Sequence, residues 1–127
     1  MALVLLVEDD AAIAEAVRQS LVGEGYDVLH AWNGREAMDA LAAQPHPDVI
    51  LLDLMMPVMT GWQVMEELTQ EQGLSEIPVI VTSATSSAEE HPQRDFLKKP
   101  YSLTTLLSLV EKHASNSVDA MPVRATG

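Results

Sequence analysis

Glu8, Asp9 and Asp10 end the first apolar run of the chain, and Asp53 ends the third, so a fold that aligns those ends pools three or four carboxylates. Carboxylates gathered this closely repel one another, and a divalent cation held through oxygen relieves the repulsion. Thr82 closes a fourth apolar run, and Lys99, directly before Pro100, follows a fifth. A hydroxyl and an ammonium supply donors for phosphoryl oxygens, and a further carboxylate can serve as nucleophile. The set therefore suits metal-assisted phosphoryl transfer and requires no organic cofactor.

The elements that must position these residues alternate in type. Leu3–Val7, Asp27–Ala31, Asp48–Leu52, Ile77–Val81 and Arg94–Leu97 read as strands, the central ones apolar at successive positions as strands covered on both faces must be. Between and after them, helical spacing places Ile13, Val17 and Leu21 on one face, then Ala37 and Leu41, then Trp62, Met65 and Leu68, and finally Leu103, Leu106, Leu107 and Val110. Asn33, Thr60 and Ser102 are placed to cap helix starts, and Gly23, Gly25 and Gly73 to end helices. The pattern predicts an α/β fold, a doubly wound five-stranded parallel sheet in the order 2-1-3-4-5. In such sheets ligands sit beyond the carboxyl ends of the strands, where Glu8, Asp9, Asp53, Thr82 and Lys99 all fall.

With 127 residues, 47% of them hydrophobic, the chain fits one domain. Nineteen acidic against seven basic residues give a formal charge of −12, which repels phosphate backbones and argues against direct nucleic-acid binding. There is no cysteine, so neither a disulfide framework nor a thiolate site is expected. The short apolar start, Ala2–Val7, lacks the length of a signal-peptide core, and no run approaches the ~20 apolar residues of a membrane span. A soluble, cytoplasmic protein is the expectation.

The segment Asp53-Leu54-Met55-Met56-Pro57-Val58-Met59-Thr60-Gly61, read with Val7-Glu8-Asp9, Thr82 and Lys99-Pro100, resembles the receiver domain of two-component response regulators from Leu3 to about His113. The resemblance implies a flavodoxin-like receiver fold and a role for each site residue. Asp53 corresponds to the phosphoacceptor, fed by a histidine kinase or a histidine phosphotransfer protein. Asp9 corresponds to a direct ligand of Mg²⁺ or Mn²⁺, Glu8 to an outer ligand acting through water, and the main-chain carbonyl of Met55 to a further ligand. Lys99, across an expected cis bond to Pro100, and Thr82 correspond to the groups that hold phosphoryl oxygens. Phe96 falls at the aromatic switch position, able to enter space that the Thr82 hydroxyl vacates. The implied output is a changed contact with an unknown downstream protein, by a monomer or weak dimer. Such a chain promotes its own phosphorylation and dephosphorylation without turning over an external substrate.

Between Thr82 and Lys99 the sequence is shorter than in relatives by more than one helical turn, is rich in Ser and Thr, and carries Pro92. A shortened or missing fourth helix is expected there, and with it an altered output surface on which family-style dimerisation is not assured. Residues 1–113 read as the receiver and 114–127 as a flexible tail or linker stub. The chain can thus be a single-domain regulator or the receiver part of a longer protein.

The four histidines are scattered, and Trp32 and Trp62 read as packing at helix starts. Singly, each site residue also has a structural reading: an acid pair as cap and solvated neighbour, Thr82 bonded to backbone, Lys99 in solvent. Three other readings stand beside the regulator: a receiver-like scaffold that works without phosphorylation, a Mg²⁺-dependent phosphatase with an aspartyl nucleophile, and a flavodoxin-like cofactor binder. The phosphatase lacks a general acid where Leu54 and Met55 follow Asp53, and the cofactor binder lacks a phosphate-cradling loop where Glu8-Asp9-Asp10 stand.

Overall fold

Parallel strands need cover on both faces, and here each apolar run divides its side chains between two helical layers. A computed structural model describes residues 2–43, 45–56, 58–71, 73–85 and 94–119. In chain order the elements are β1 (Leu3–Val7), α1 (Ala11–Gly23), β2 (Asp27–Ala31), α2 (Gly34–Ala42), β3 (Val49–Asp53), α3 (Gly61–Gln70), β4 (Val79–Ser83), β5 (Asp95–Lys98) and α4 (Leu103–Asp119). The five strands form one parallel sheet in the expected order β2-β1-β3-β4-β5.

The period of two along each strand sorts the core. Leu5, Val7, Ile50, Leu52, Val79 and Val81 face one layer with Ala37 and Leu41 of α2 and Val64 and Leu68 of α3. Val4, Leu6, Val49, Leu51, Ile80 and Leu97 face the other, with Ala14, Val17 and Leu21 of α1 and Leu106 and Val110 of α4. Both layers exclude water from the middle of the sheet, leaving its carboxyl ends as the place where polar groups collect.

The helix starts follow the sequence closely. Side-chain oxygens of Asp10, Asn33 and Ser102 accept N–H bonds from Ile13, Glu36 and Thr105 at 3.0, 2.9 and 3.0 Å. Thr60 and Gln63 form a reciprocal capping box at the head of α3. Gly25 and Gly73, both at positive φ, follow the ends of α1 and α3.

Four expectations need correction. β3, β4 and β5 end at Asp53, Ser83 and Lys98, one or two residues later than the apolar runs suggest, because the polar residues still pair: Asp53 with Thr82 and Ser83 with Lys98. β4 also begins after Pro78, which has no N–H to give a ladder. Trp62 does not lie on the buried face of α3; that stripe is Gly61, Val64, Met65 and Leu68, and Trp62 is exposed. The last helix does not lapse at His113 but continues to Asp119, helped by the buried Ala114 and by the backbone bond each added residue gains. The expected shortening of the fourth helix concerns residues 84–94, between β4 and β5. Residues 86–93 of that stretch lie outside the described residues, and among the described ones no helix stands there. Parallel crossovers usually take a dozen residues or more, so this connection is near the lower limit.

Candidate functional site

The carboxyl ends of β1, β3, β4 and β5 bring the acids, the hydroxyl and the lysine together. Glu8 follows β1 directly, and its N–H donates to Ala31 O of β2 at 3.1 Å, carrying the strand pairing one residue past the ladder. Its side chain is 2% exposed: Oε1 accepts from Lys99 Nζ at 2.8 Å and Oε2 from the Asp10 N–H at 3.1 Å. Asp53, the last residue of β3, is 3% exposed; Oδ2 accepts from Lys99 Nζ at 3.0 Å and Oδ1 from the Met55 N–H at 3.1 Å. Asp9 is exposed at the mouth of the site. Glu8, Asp9 and Asp53 each offer a carboxylate oxygen within 4.8 Å of the others.

Lys99 reaches these acids because its own backbone is tied down. Its N–H donates to Ser83 O at 2.9 Å, extending the β4–β5 pairing, and the Lys99–Pro100 bond is cis as expected. The neighbouring Lys98 is exposed. Thr82 is buried and stands in register beside Asp53, and Thr82 O accepts the Leu54 N–H at 3.1 Å. Phe96 is half-buried against the α2–α3 layer. The register pairs Phe96 with Val81 and Leu97 with Thr82, so Phe96 and Thr82 occupy opposite faces of the pleat.

Close packing holds Asp53 in place from behind. At the head of α3, Gly61 lies so near that a Cβ there would meet Asp53 O at 2.4 Å and Leu54 Cα at 2.7 Å. Gly34, at the head of α2, donates its N–H to Met59 O at 3.2 Å, joining the loops after β2 and β3.

Burial dominates the electrostatics of Glu8 and pushes its carboxyl up to about 6, with the Asp53 charge adding to the rise and the bonds from Lys99 and Asp10 opposing it. Burial also disfavours the Lys99 ammonium, but the hydrogen bonds to Glu8 and Asp53 outweigh it and leave Lys99 above the ordinary lysine range. The Lys99 side chain thus lies between the nearly buried side chains of Glu8 and Asp53, 2.8 and 3.0 Å from their oxygens. Tyr101, just beyond Pro100, is pushed up to about 12, chiefly by burial and then by the charge of Glu8. Glu8, Asp9, Asp53 and Lys99 lie together, with Thr82 in register beside Asp53, while Phe96 packs on the opposite face of the pleat. His30 joins unexpectedly: its Nε2 is 2.9 Å from Glu8 O. Sequence gives little sign of that contact, because it is made to a main-chain atom and depends on where β2 ends.

A family model for the response regulator receiver domain matches residues 4–111. The chain belongs to that family. This receiver is 37% identical over 111 residues to the response regulator MprA of Mycolicibacterium vanbaalenii, a match covering 83% of the chain and 47% of MprA. It therefore spans about half the length of the curated relative it matches. The receiver domain of Francisella response regulator 1452 superposes with a TM-score of 0.82 at 30% identity, covering 92% of this chain and 99% of that one. The receiver domain of the sensor histidine kinase PA1611 of Pseudomonas aeruginosa, solved with a magnesium ion in its active-site cleft, shares the fold at a TM-score of 0.80 and 23% identity, over 90% of this chain and 98% of that one. Receiver domains of response regulators are signalling modules. Among the described residues, no helix of this receiver is long and apolar enough to cross a membrane.

Proposed function

We propose that the chain accepts a phosphoryl group on Asp53 from a histidine kinase or histidine phosphotransfer protein, with Mg²⁺ or Mn²⁺, and thereby changes its contacts with a downstream protein. The observation that carries the reading is the nearly buried Asp53 carboxylate, 3.0 Å from Lys99 Nζ and gathered with Glu8 and Asp9 within 4.8 Å. An all-oxygen donor set fits a hard divalent cation. Asp9 and Asp53 would hold it directly, Glu8 through water, and Met55 through its main-chain carbonyl. When bound, it offsets the charge of the incoming phosphoryl group, which the carboxylates would otherwise repel.

An Asp53 carboxylate oxygen attacks phosphorus in line, the P–N bond of a phosphohistidine breaks, and the imidazole leaves as an acyl phosphate forms. Lys99 then exchanges its bond to Asp53 for one to a phosphoryl oxygen, and the Thr82 hydroxyl donates to another. As the Thr82 hydroxyl is drawn inward, Phe96 on the next strand is the residue that repacks, from its present place on the opposite pleat face. The formal charge of −12 keeps direct nucleic-acid contact out of this reading, and the cytoplasm is where its donors would be met.

Intact-mass measurement after incubation with Mg²⁺ and acetyl phosphate, beside Asp53→Asn, tests it. One phosphate on the parent and none on the variant is the expected result. No adduct on the parent would favour a scaffold of receiver shape that works without phosphorylation.

A further inference from the structure

Pairing between β1 and β2 ends at Val7 and Ala31, with one more bond from the Glu8 N–H to Ala31 O. A parallel ladder carried further would need an N–H from β2 to meet the Glu8 carbonyl. None comes from the backbone: the Trp32 N–H donates to Glu36 Oε1 at 2.8 Å, and Asn33 has already turned to cap α2. The side chain of His30 takes that place, with Nε2 at 2.9 Å from Glu8 O. A carbonyl oxygen only accepts, so Nε2 carries the hydrogen. The imidazole is backed by Trp32, ring centroids 4.2 Å apart and planes at 57°.

We propose that His30 is a positioning residue for the acid cluster. Its Nε2–H fixes the Glu8 carbonyl and with it the plane of the Glu8–Asp9 peptide, and that plane aims the bond from which the Asp9 side chain departs. Asp9 is exposed, so its direction depends on the backbone that carries it. Glu8 is held at both side-chain oxygens as well, which makes the Glu8–Asp9 turn fixed at main chain and side chain alike. The inference rests on the reading that Glu8, Asp9 and Asp53 hold a divalent cation.

Two substitutions separate the hydrogen bond from the packing. His30→Phe keeps a ring against Trp32 and removes the donor; His30→Gln keeps an N–H donor and removes the ring. Calorimetric titration of each 127-residue chain with Mg²⁺ should give a Kd raised about threefold to tenfold for His30→Phe and within about twofold of the parent for His30→Gln, the change expected from one hydrogen bond. In the metal-free chain, exchange of the Asp10 amide with solvent should quicken in His30→Phe alone. A His30→Phe variant with the parent's Kd, or a His30→Gln variant as weakened as His30→Phe, would overturn the proposal. If the parent itself takes no Mg²⁺, the proposed function fails, and the exchange rates then decide the positioning on their own: an unchanged Asp10 amide in His30→Phe would overturn that too.

Discussion

At Glu8, burial and an ion pair pull in opposite directions, and burial wins. Its carboxyl stands at about 6 in the folded chain against an ordinary value of 4.5, so the folded state takes up the proton more readily than the unfolded state does. The stabilising contribution of that proton is complete below 4.5 and is lost as pH rises through about 6. Asp95 behaves in the opposite sense. Burial raises it, but the bonds from His113 and Lys112 more than offset that and hold it below 3.8, so its contribution is present above that value and lost in acid. Urea midpoints of the metal-free chain should therefore fall between pH 5 and 7, and Glu8→Gln should flatten that fall; an equal slope in both would count against the assignment. The acids and the lysine were legible in the sequence because each ends an apolar run. His30 was not, since its partner is a carbonyl whose orphan status appears only once β2 is seen to stop.

At the scale of elements, the head of α3 lies close against the end of β3. A methyl at Gly61 would strike backbone atoms of Asp53 and Leu54, which cannot swing aside as a flexible side chain can. Gly61→Ala should cost about 1–3 kcal/mol of stability by denaturant unfolding and slow phosphate uptake by Asp53 in the intact-mass assay. A variant of unchanged stability and rate would show that α3 can retreat from β3. The caps Asn33, Thr60 and Ser102 could be read from residue type, because a side-chain acceptor before a helical stripe has few other uses. The inward face of α3 could not. With successive residues about 100° apart, a stripe through Trp62, Met65 and Leu68 and one through Gly61, Val64 and Leu68 differ by a small rotation, and only packing against β3 selects the second.

For the molecule as a whole, the strand order followed from alternating element types, while the C-terminal limit of the last helix did not. Ser115, Asn116 and Ser117 give no apolar rhythm, yet the backbone of α4 passes through them. Ending the chain after His113 should therefore lower stability by about 1 kcal/mol, through the lost burial of Ala114 and shortening of α4, measured as a shift in urea midpoint. An unmoved midpoint would place the structural limit at His113 after all. The outermost strand on the other side of the sheet has its own consequence. β5 is four residues long, is preceded by Arg94, and runs into Lys98, Lys99 and Pro100, the last without an N–H. A stray strand laid along it would find little ladder to copy and the charges of Arg94 and Lys98 to bury, so this rim is a poor template for aggregation.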